Sequence, residues 1–311
     1  MVEKYRDYIE NISKNTGFIG STLEKVDRLI RILEWMNSDE KLNKLLALKG
    51  GTAINTAIFN FPRLSVDIDL DLTENLSKEE MIKERENIHN LLVNYLNSNN
   101  YKINMEKSKN VYALDSIVAE YIDIKGNIDN IKIEINYMNR VHILETKRID
   151  VSTDVLKGKH LTIHCIHPIE IYAAKLCALL SRTTARDLYD VYTLSKYDLF
   201  DDEEKKLLKQ CLMLEYIAVN DYKLKDMKID NVERLKRQDI KTKLLPTLKD
   251  RNPKNSNIDE MKQAVREYLK DILIVDDKTK EFYEPELLFD NEEIIERIKK
   301  HPMIIWKLNN K

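Results

Sequence analysis

Asp67, Asp69 and Asp71 alternate with Ile68, Leu70 and Leu72. A period of two is the signature of a β-strand, so the aspartates leave one face of a short strand, successive ones about 6.7 Å apart. At an effective dielectric of about 20, each adjacent pair repels by about 2.5 kcal/mol, and aspartate is disfavoured in strands to begin with. Such a strand needs full exposure or a compensating cation. A divalent metal fits chemically: alternate carboxylates can hold a pair of Mg²⁺ ions about 3.5 to 4 Å apart, stabilising the attacking and leaving oxygens of phosphoryl transfer. The competing reading is an exposed edge strand defended by charge. Just upstream, the apolar run Leu45-Leu46-Ala47-Leu48 ends in Lys49-Gly50-Gly51-Thr52. A strand that turns into a helix at a double glycine lets backbone approach a phosphate, with the first helical N–H groups and the Thr52 hydroxyl aimed at it. Its plain counterpart is an ordinary threonine cap after a glycine turn. Together, an anion-binding helix start and paired carboxylates bring a triphosphate and a metal to one place.

The elements that must position these residues can be read from periodicity. The first 45 residues are helical, with Leu23, Val26, Leu29, Ile30 and Leu33 at three- and four-residue spacings. Ala53 to Phe59 continues the glycine turn as a helix on Ile54, Ala57 and Ile58, and Pro62 keeps Phe61 out of the α region. An amphipathic helix over Ile82 to Leu96 precedes strands at Tyr101 to Met105, Val111 to Asp123 and Ile131 to Tyr137. Beyond Pro168 the pattern is helical: Ile169 to Leu180, Arg186 to Leu194, Glu203 to Val219 and Ile258 to Ile274. The fold class is therefore α+β, with a sheet domain over 1–165 and an all-α domain over 166–311.

Composition narrows the function classes. The chain has 311 residues, 43% hydrophobic and 33% charged, with six glycines and six prolines, which excludes collagen-like, low-complexity and broadly disordered proteins. No run approaches the roughly 20 apolar residues of a membrane span, and Met1 to Asp7 lacks the apolar core of a signal peptide, so a cytoplasmic location away from membranes is expected. Cys165, Cys177 and Cys211 are too few and too scattered for a disulfide framework and read as core thiols. His160, His164 and His167 cluster near Cys165, but strand alternation there sends His164 and Cys165 to opposite sides, which argues against zinc. No serine or cysteine triad stands out. The net charge is −2, yet Lys223 to Lys254 carries eleven basic residues against five acidic ones. That segment is either a solvated helical face or a surface for nucleic-acid phosphates.

Lys49-Gly50-Gly51-Thr52-Ala53 followed by Arg63-Leu64-Ser65-Val66-Asp67-Ile68-Asp69-Leu70 resembles the signature of the AbiEii/AbiGii toxin family, polymerase-β-like nucleotidyltransferases. Two further family motifs match: a lysine in an apolar helix at Lys175, and an Arg-Asp-x-x-Asp helix at Arg186, Asp187 and Asp190. The resemblance spans about residues 45 to 195. It implies a polymerase-β-like sheet domain followed by helices that contribute Lys175 and Asp187 to the cleft. It also implies a catalytic set of Asp67, Asp69, Glu134, Lys175 and Asp187. Of these, Asp67 and Asp69 would hold Mg²⁺, two ions, with Glu134 as third carboxylate because it alternates with Ile133 and Ile135. Gly50, Gly51, Thr52, Arg63, Ser65 and Lys175 would bind the nucleotide. Glu134 and Asp187 both remain open as general base. Lys175 is the only cation between Ile169 and Leu180 and needs an anion, either a triphosphate or a partner in Asp187 or Glu170. Asp187 lies near the edge of its apolar helical face and Asp190 further towards solvent; Thr184 to Asp187 also has capping-box spacing, which would make Asp187 structural.

The implied activity is transfer of NMP from an NTP to an acceptor hydroxyl, by a toxin of a toxin–antitoxin or abortive-infection system with a cognate antitoxin. The acceptor class in relatives includes the tRNA 3′ end, which the basic segment would suit. A small-molecule nucleotidyltransferase of the aminoglycoside-modifying sort would use the same catalytic set without the basic segment. A non-catalytic nucleotide- or partner-binding module would bind nucleotide without releasing pyrophosphate.

Overall fold

The apolar residues between the aspartates set the core. In the computed structural model, which describes residues 2–153, 159–219, 228–252, 257–273 and 289–309, Ile68, Leu70 and Leu72 are buried in β2 (Asp67–Leu72). In the same unit, α2 (Gly20–Ser38) and α5 (Lys78–Ser98) pack on the sheet, with buried residues that include Leu29, Ile32 and Leu33 on one and Met81, Ile88, Leu92 and Leu96 on the other. The two helices lie side by side, with Trp35 stacked on Tyr95 at 3.8 Å between centroids. α1 (Val2–Thr16) and α3 (Glu40–Leu45) complete the N-terminal helices. α5 starts at a full capping box, Ser77 and Glu80 each bonding the other's backbone N–H.

Among the described residues, eight strands form one mixed sheet, ordered β3-β5-β6-β2-β1-β8-β7 with β4 paired to β5. They are β1 (Leu46–Lys49), β2, β3 (Lys102–Ile103), β4 (Lys109–Val111), β5 (Leu114–Ile122), β6 (Ile128–Asn136), β7 (Lys147–Thr153) and β8 (Lys159–Cys165). β2 pairs with β6 in parallel and β1 with β8 in parallel; the remaining pairs are antiparallel. The α+β class is as the periodicity dictates. β7 was not foreseen, because Ile149 and Val151 are its only apolar residues.

The chain divides into two compact units, 1–142 with 146–166, and 143–145 with 167–311. The brief excursion at 143–145 is fixed by the Glu170 carboxylate, which accepts from Ile143 N–H at 3.1 Å and Leu144 N–H at 2.8 Å. The described part of the second unit is helical: α6 (Pro168–Arg182), α7 (Ala185–Tyr197), α8 (Asp202–Val219), a 3₁₀ turn Ile229–Arg234, α9 (Arg237–Asp239) and α10 (Ile258–Ile272), then helices Glu292–Lys299 and Pro302–Asn309. His167 caps α6 ahead of Pro168, and Thr183, at φ +52, closes it in the left-handed region. All three cysteines are free and buried.

Candidate active site

β1 ends at Lys49 and the chain enters α4 (Gly50–Thr52) at once. Gly50 has φ +68, and a Cβ there would collide with the Asp69 carboxylate. A Cβ on Gly51 would sit 2.9 Å from Arg63 Nη2 and 3.0 Å from Ser65 Oγ. The double glycine is therefore needed twice, for a left-handed turn and for direct approach of backbone to Asp69, Arg63 and Ser65. Gly50→Ala forces a strained φ and pushes Asp69 aside. The expected result is about 1 kcal/mol of lost stability and roughly a hundredfold loss of activity from the misplaced carboxylate, checked by thermal melting and a transfer assay.

Thr52 is placed differently from expectation. Its side chain is buried and its hydroxyl donates to the Asp67 carbonyl, which clamps the helix start to β2. The helix expected over Ala53 to Phe59 is a π-turn, Ala53–Ile58. Asn55 Nδ2 donates to Gly51 O and Thr56 Oγ1 to Thr52 O, each at 2.7 Å, so side chains occupy carbonyls that α-helical N–H groups would take. Phe61 then adopts φ +50 ahead of Pro62. Thr52→Val leaves a buried acceptor short of its donor and is expected to cost about 1–3 kcal/mol, with Thr52→Ser restoring most of it on urea titration.

The carboxylates come together across the sheet. Asp69 pairs with Glu134 and Asp67 with Lys132 on the parallel β2–β6 ladder. Cross-strand partners share a face, so Glu134 stands beside Asp69. Lys49, opposite Asp69 on β1, reaches Asp71 Oδ1 at 2.5 Å. That lysine is the compensating cation for the most buried of the three aspartates. Lys132 Nζ lies 2.6 Å from Glu134 Oε2. Asp67 and Asp69 are partly exposed. Among the described residues no three acidic, histidine or cysteine side chains form a ready metal cluster. The donor set nonetheless suits Mg²⁺, which characteristically takes one or two carboxylates and completes its octahedron with water and substrate phosphates. Arg63 is buried and donates to the Leu64 carbonyl at 3.0 Å; with Ser65 it forms the floor under Gly51.

In the second unit Lys175 Nζ lies 2.8 Å from Asp187 Oδ1 and 3.2 Å from Asp190 Oδ2, all three side chains buried. Arg182 Nε adds a bond to Asp187 Oδ2 at 2.9 Å. Lys175 thus has two anionic partners within the unit, Asp187 and Asp190. Asp190, expected towards solvent, is 1% exposed because Lys175 draws it inward. The Thr184 hydroxyl caps α7, accepting from Asp187 N–H at 3.3 Å and donating to Asp187 Oδ2 at 2.8 Å. Burial pushes the Asp187 carboxyl up, but Lys175 and Arg182 outweigh it and hold the group well below the usual carboxylate range.

The family model of the nucleotidyl transferase AbiEii toxins of type IV toxin–antitoxin systems matches residues 31–285. The chain belongs to this family. It is accordingly a nucleotidyltransferase toxin, with an NTP as substrate and an antitoxin as counterpart. Among solved structures it is similar to the nucleotidyltransferase toxin MenT4 of Mycobacterium tuberculosis H37Rv, at a TM-score of 0.62 and 13% identity, over 93% of this chain and 97% of that one. At that identity the likeness is one of fold. A search of curated protein sequences finds no match.

For this AbiEii-family chain, sequence reasoning passed over two residues of the carboxylate face, Lys49 and Lys132. Both were legible as same-face neighbours once β1 and β6 are aligned on β2. Of the three histidines, His164 bonds the Asn43 carbonyl at 3.0 Å and Thr146 Oγ1 at 2.7 Å, and the His160 side chain lies outside the described residues. Of the basic segment, Lys223, Lys225 and Lys254 lie outside the described residues. Lys228, Arg234, Lys236, Arg237, Lys241, Lys243, Lys249 and Arg251 are all exposed. Arg237 pairs with Asp259 and Lys243 with Asp239. No helix among the described residues is long and apolar enough to cross a membrane.

Proposed function

We propose that this toxin transfers NMP from a Mg²⁺-bound NTP to an RNA hydroxyl, the tRNA 3′ end being the acceptor. The observation that carries the reading is the β2–β6 register, which sets Glu134 beside Asp69 while Gly50 packs its bare backbone on the Asp69 carboxylate. Asp67 and Asp69, with Glu134, would hold the metal, which when bound neutralises the phosphates and polarises the α-phosphorus. The N–H groups of the Gly50-Gly51-Thr52 helix start orient the phosphate chain; Arg63 and Ser65 support that turn from beneath. Glu134 takes the proton of the attacking hydroxyl. Asp187 is the weaker choice of base, since its carboxylate is stabilised by Lys175 and Arg182 and has little affinity for a proton. Lys175 and Asp187 then serve as an ion cluster that fixes the α6–α7 corner.

The exposed basic residues between Lys228 and Arg251 favour a polyanionic acceptor over a small molecule. Incubation with Mg²⁺, each of four α-labelled nucleotides in turn and total tRNA, read on a denaturing gel, tests both halves of the proposal. The expected result is label on tRNA that disappears with EDTA or with prior periodate oxidation of the 3′ end. Label that survives EDTA would overturn the metal assignment. Pyrophosphate release only with small-molecule acceptors would overturn the RNA assignment, and nucleotide binding with no release would reduce the protein to a binding module.

A further inference from the structure

We infer that the edge of the sheet beyond Glu134, formed by β4 and the turn that follows it, receives the single-stranded 3′ end of the acceptor RNA. The inference rests on the proposed reading of the β2–β6 face. There the acceptor oxygen bonds to the α-phosphorus, the α–β bridging P–O bond breaks with its electron pair on pyrophosphate, and the hydroxyl proton goes to Glu134. Attacking and leaving oxygens stand in line across the phosphorus. The helix start at Gly50, which orients the phosphate chain, follows β1, and β1 lies on one side of β2 while β6 lies on the other. Pyrophosphate therefore leaves on the β1 side. The hydroxyl must arrive from the β6 side, over β5 and β4.

The sheet carries that approach in a single row. Strand register sets Asp69 opposite Glu134, Glu134 opposite Ser116 and Ser116 opposite Lys109, so all four share one face. Three strand spacings, about 14 Å, separate Asp69 from Lys109. Lys109 is exposed and forms no ion pair among the described residues. Lys102 and Lys107 lie along the same edge, Lys107 held only by a 3.9 Å contact with Glu120, so residues 102–112 carry three lysines against one acid, Glu106. Apolar side chains are interleaved with them: Met105, Val111 and Tyr112 are 79%, 54% and 46% exposed. Ammonium groups for phosphates beside an exposed aromatic ring for base faces are what a single-stranded nucleic acid requires. The turn is also held in place, since Arg85 Nη1 of α5 donates to the Val111 carbonyl at 2.7 Å and the Tyr112 carbonyl at 3.2 Å. Lys78 Nζ adds a further cation, 5.3 Å from the Tyr112 ring centroid. An edge guarded only against strand pairing would use the lysines but gain nothing from an exposed valine and tyrosine among them.

The test measures binding of a short fluorescein-labelled single-stranded RNA with a free 3′ hydroxyl to the full chain, without nucleotide and over a series of salt concentrations. Transfer of labelled NMP to the same RNA is followed beside it. The double variant Lys107→Ala, Lys109→Ala is expected to bind about tenfold more weakly, and its plot of log affinity against log salt to be shallower by about 1.4, the share of two phosphate contacts on a single strand. Tyr112→Ala should lose about fivefold or more with the salt slope kept, and Tyr112→Phe should return most of that loss, as stacking requires. In each weakened variant the KM for RNA rises while the KM for NTP stays that of the parent. Should Tyr112→Ala loosen the turn, the two exposed lysines carry the test alone. Parent affinity and salt slope in the folded double variant, with RNA still labelled, would overturn the assignment of the edge. Loss of a dimer on sedimentation, with RNA binding kept, would overturn it in favour of a second copy of the chain. Asp69→Ala leaves the edge intact and should bind RNA as the parent does without labelling it; labelling by that variant would instead remove the underlying reading of the carboxylate face.

Discussion

Replacing Asp69 with alanine is expected to abolish nucleotidyl transfer, by about a thousandfold or more, while the melting temperature changes by no more than a few degrees. The carboxylate sits between Asp67 and Asp71 on one strand face and beside Glu134 on the next strand. Each of those neighbours is a like charge, so removal relieves repulsion as it removes the proposed metal ligand. Asp69 is partly exposed, which keeps the stability change small in either direction. Labelled-nucleotide transfer and a thermal melt on the same preparation separate the two effects. A variant that melts as the parent does and still transfers nucleotide would show that Asp69 is not a ligand.

The second large effect is one of stability. Lys175→Met should destabilise the helical unit by about 3–5 kcal/mol, because it leaves Asp187 and Asp190 buried without the cation between them. A lysine kept only to await a nucleotide would behave oppositely, since its removal would relieve the cost of burying a charge. Urea denaturation followed by helical signal distinguishes these outcomes. The same cluster predicts a pH dependence. The folded carboxyl of Asp187 lies well below its unfolded value of about 3.9. Its contribution is therefore fully present above pH ~4 and is lost as pH falls through the folded value. Acid titration of the parent should show a loss of stability below pH ~4 that Asp187→Asn lacks.

The legible part of the site was its local part. Asp67 and Asp69 declare a strand face by alternation, and Gly50 and Gly51 declare a turn because only glycine tolerates φ +68 against a neighbouring carboxylate. Glu134 could be picked out by alternation, but its place beside Asp69 depends on a register between strands separated by α5 and two hairpins. Nothing local encodes that register. The inward Thr52 hydroxyl and the π-turn were hidden for a related reason: they follow from where Asn55, Thr56 and the Asp67 carbonyl meet in space. Asp190 was misread because a helical wheel ranks residues by apolar neighbours, whereas a buried lysine on another helix recruits a carboxylate against that ranking. β7 escaped because an edge strand with two apolar residues carries little periodic signal.

The placing of β1 inside the sheet, between β2 and β8, has a consequence for how the toxin is made. Its neighbour β2 follows within about twenty residues, and the face that carries Asp67, Asp69 and Glu134 is complete once Asn136 has emerged from the ribosome. Its other neighbour, β8, pairs through Leu48 with Cys165, a contact that cannot form until nearly thirty further residues are synthesised. During that interval the nascent chain presents β1 with one edge unpaired, a template for strands of neighbouring chains. A chain cut short after His142 would therefore carry the assembled carboxylates on an open, adhesive sheet, whereas one extended through Ile166 can close it.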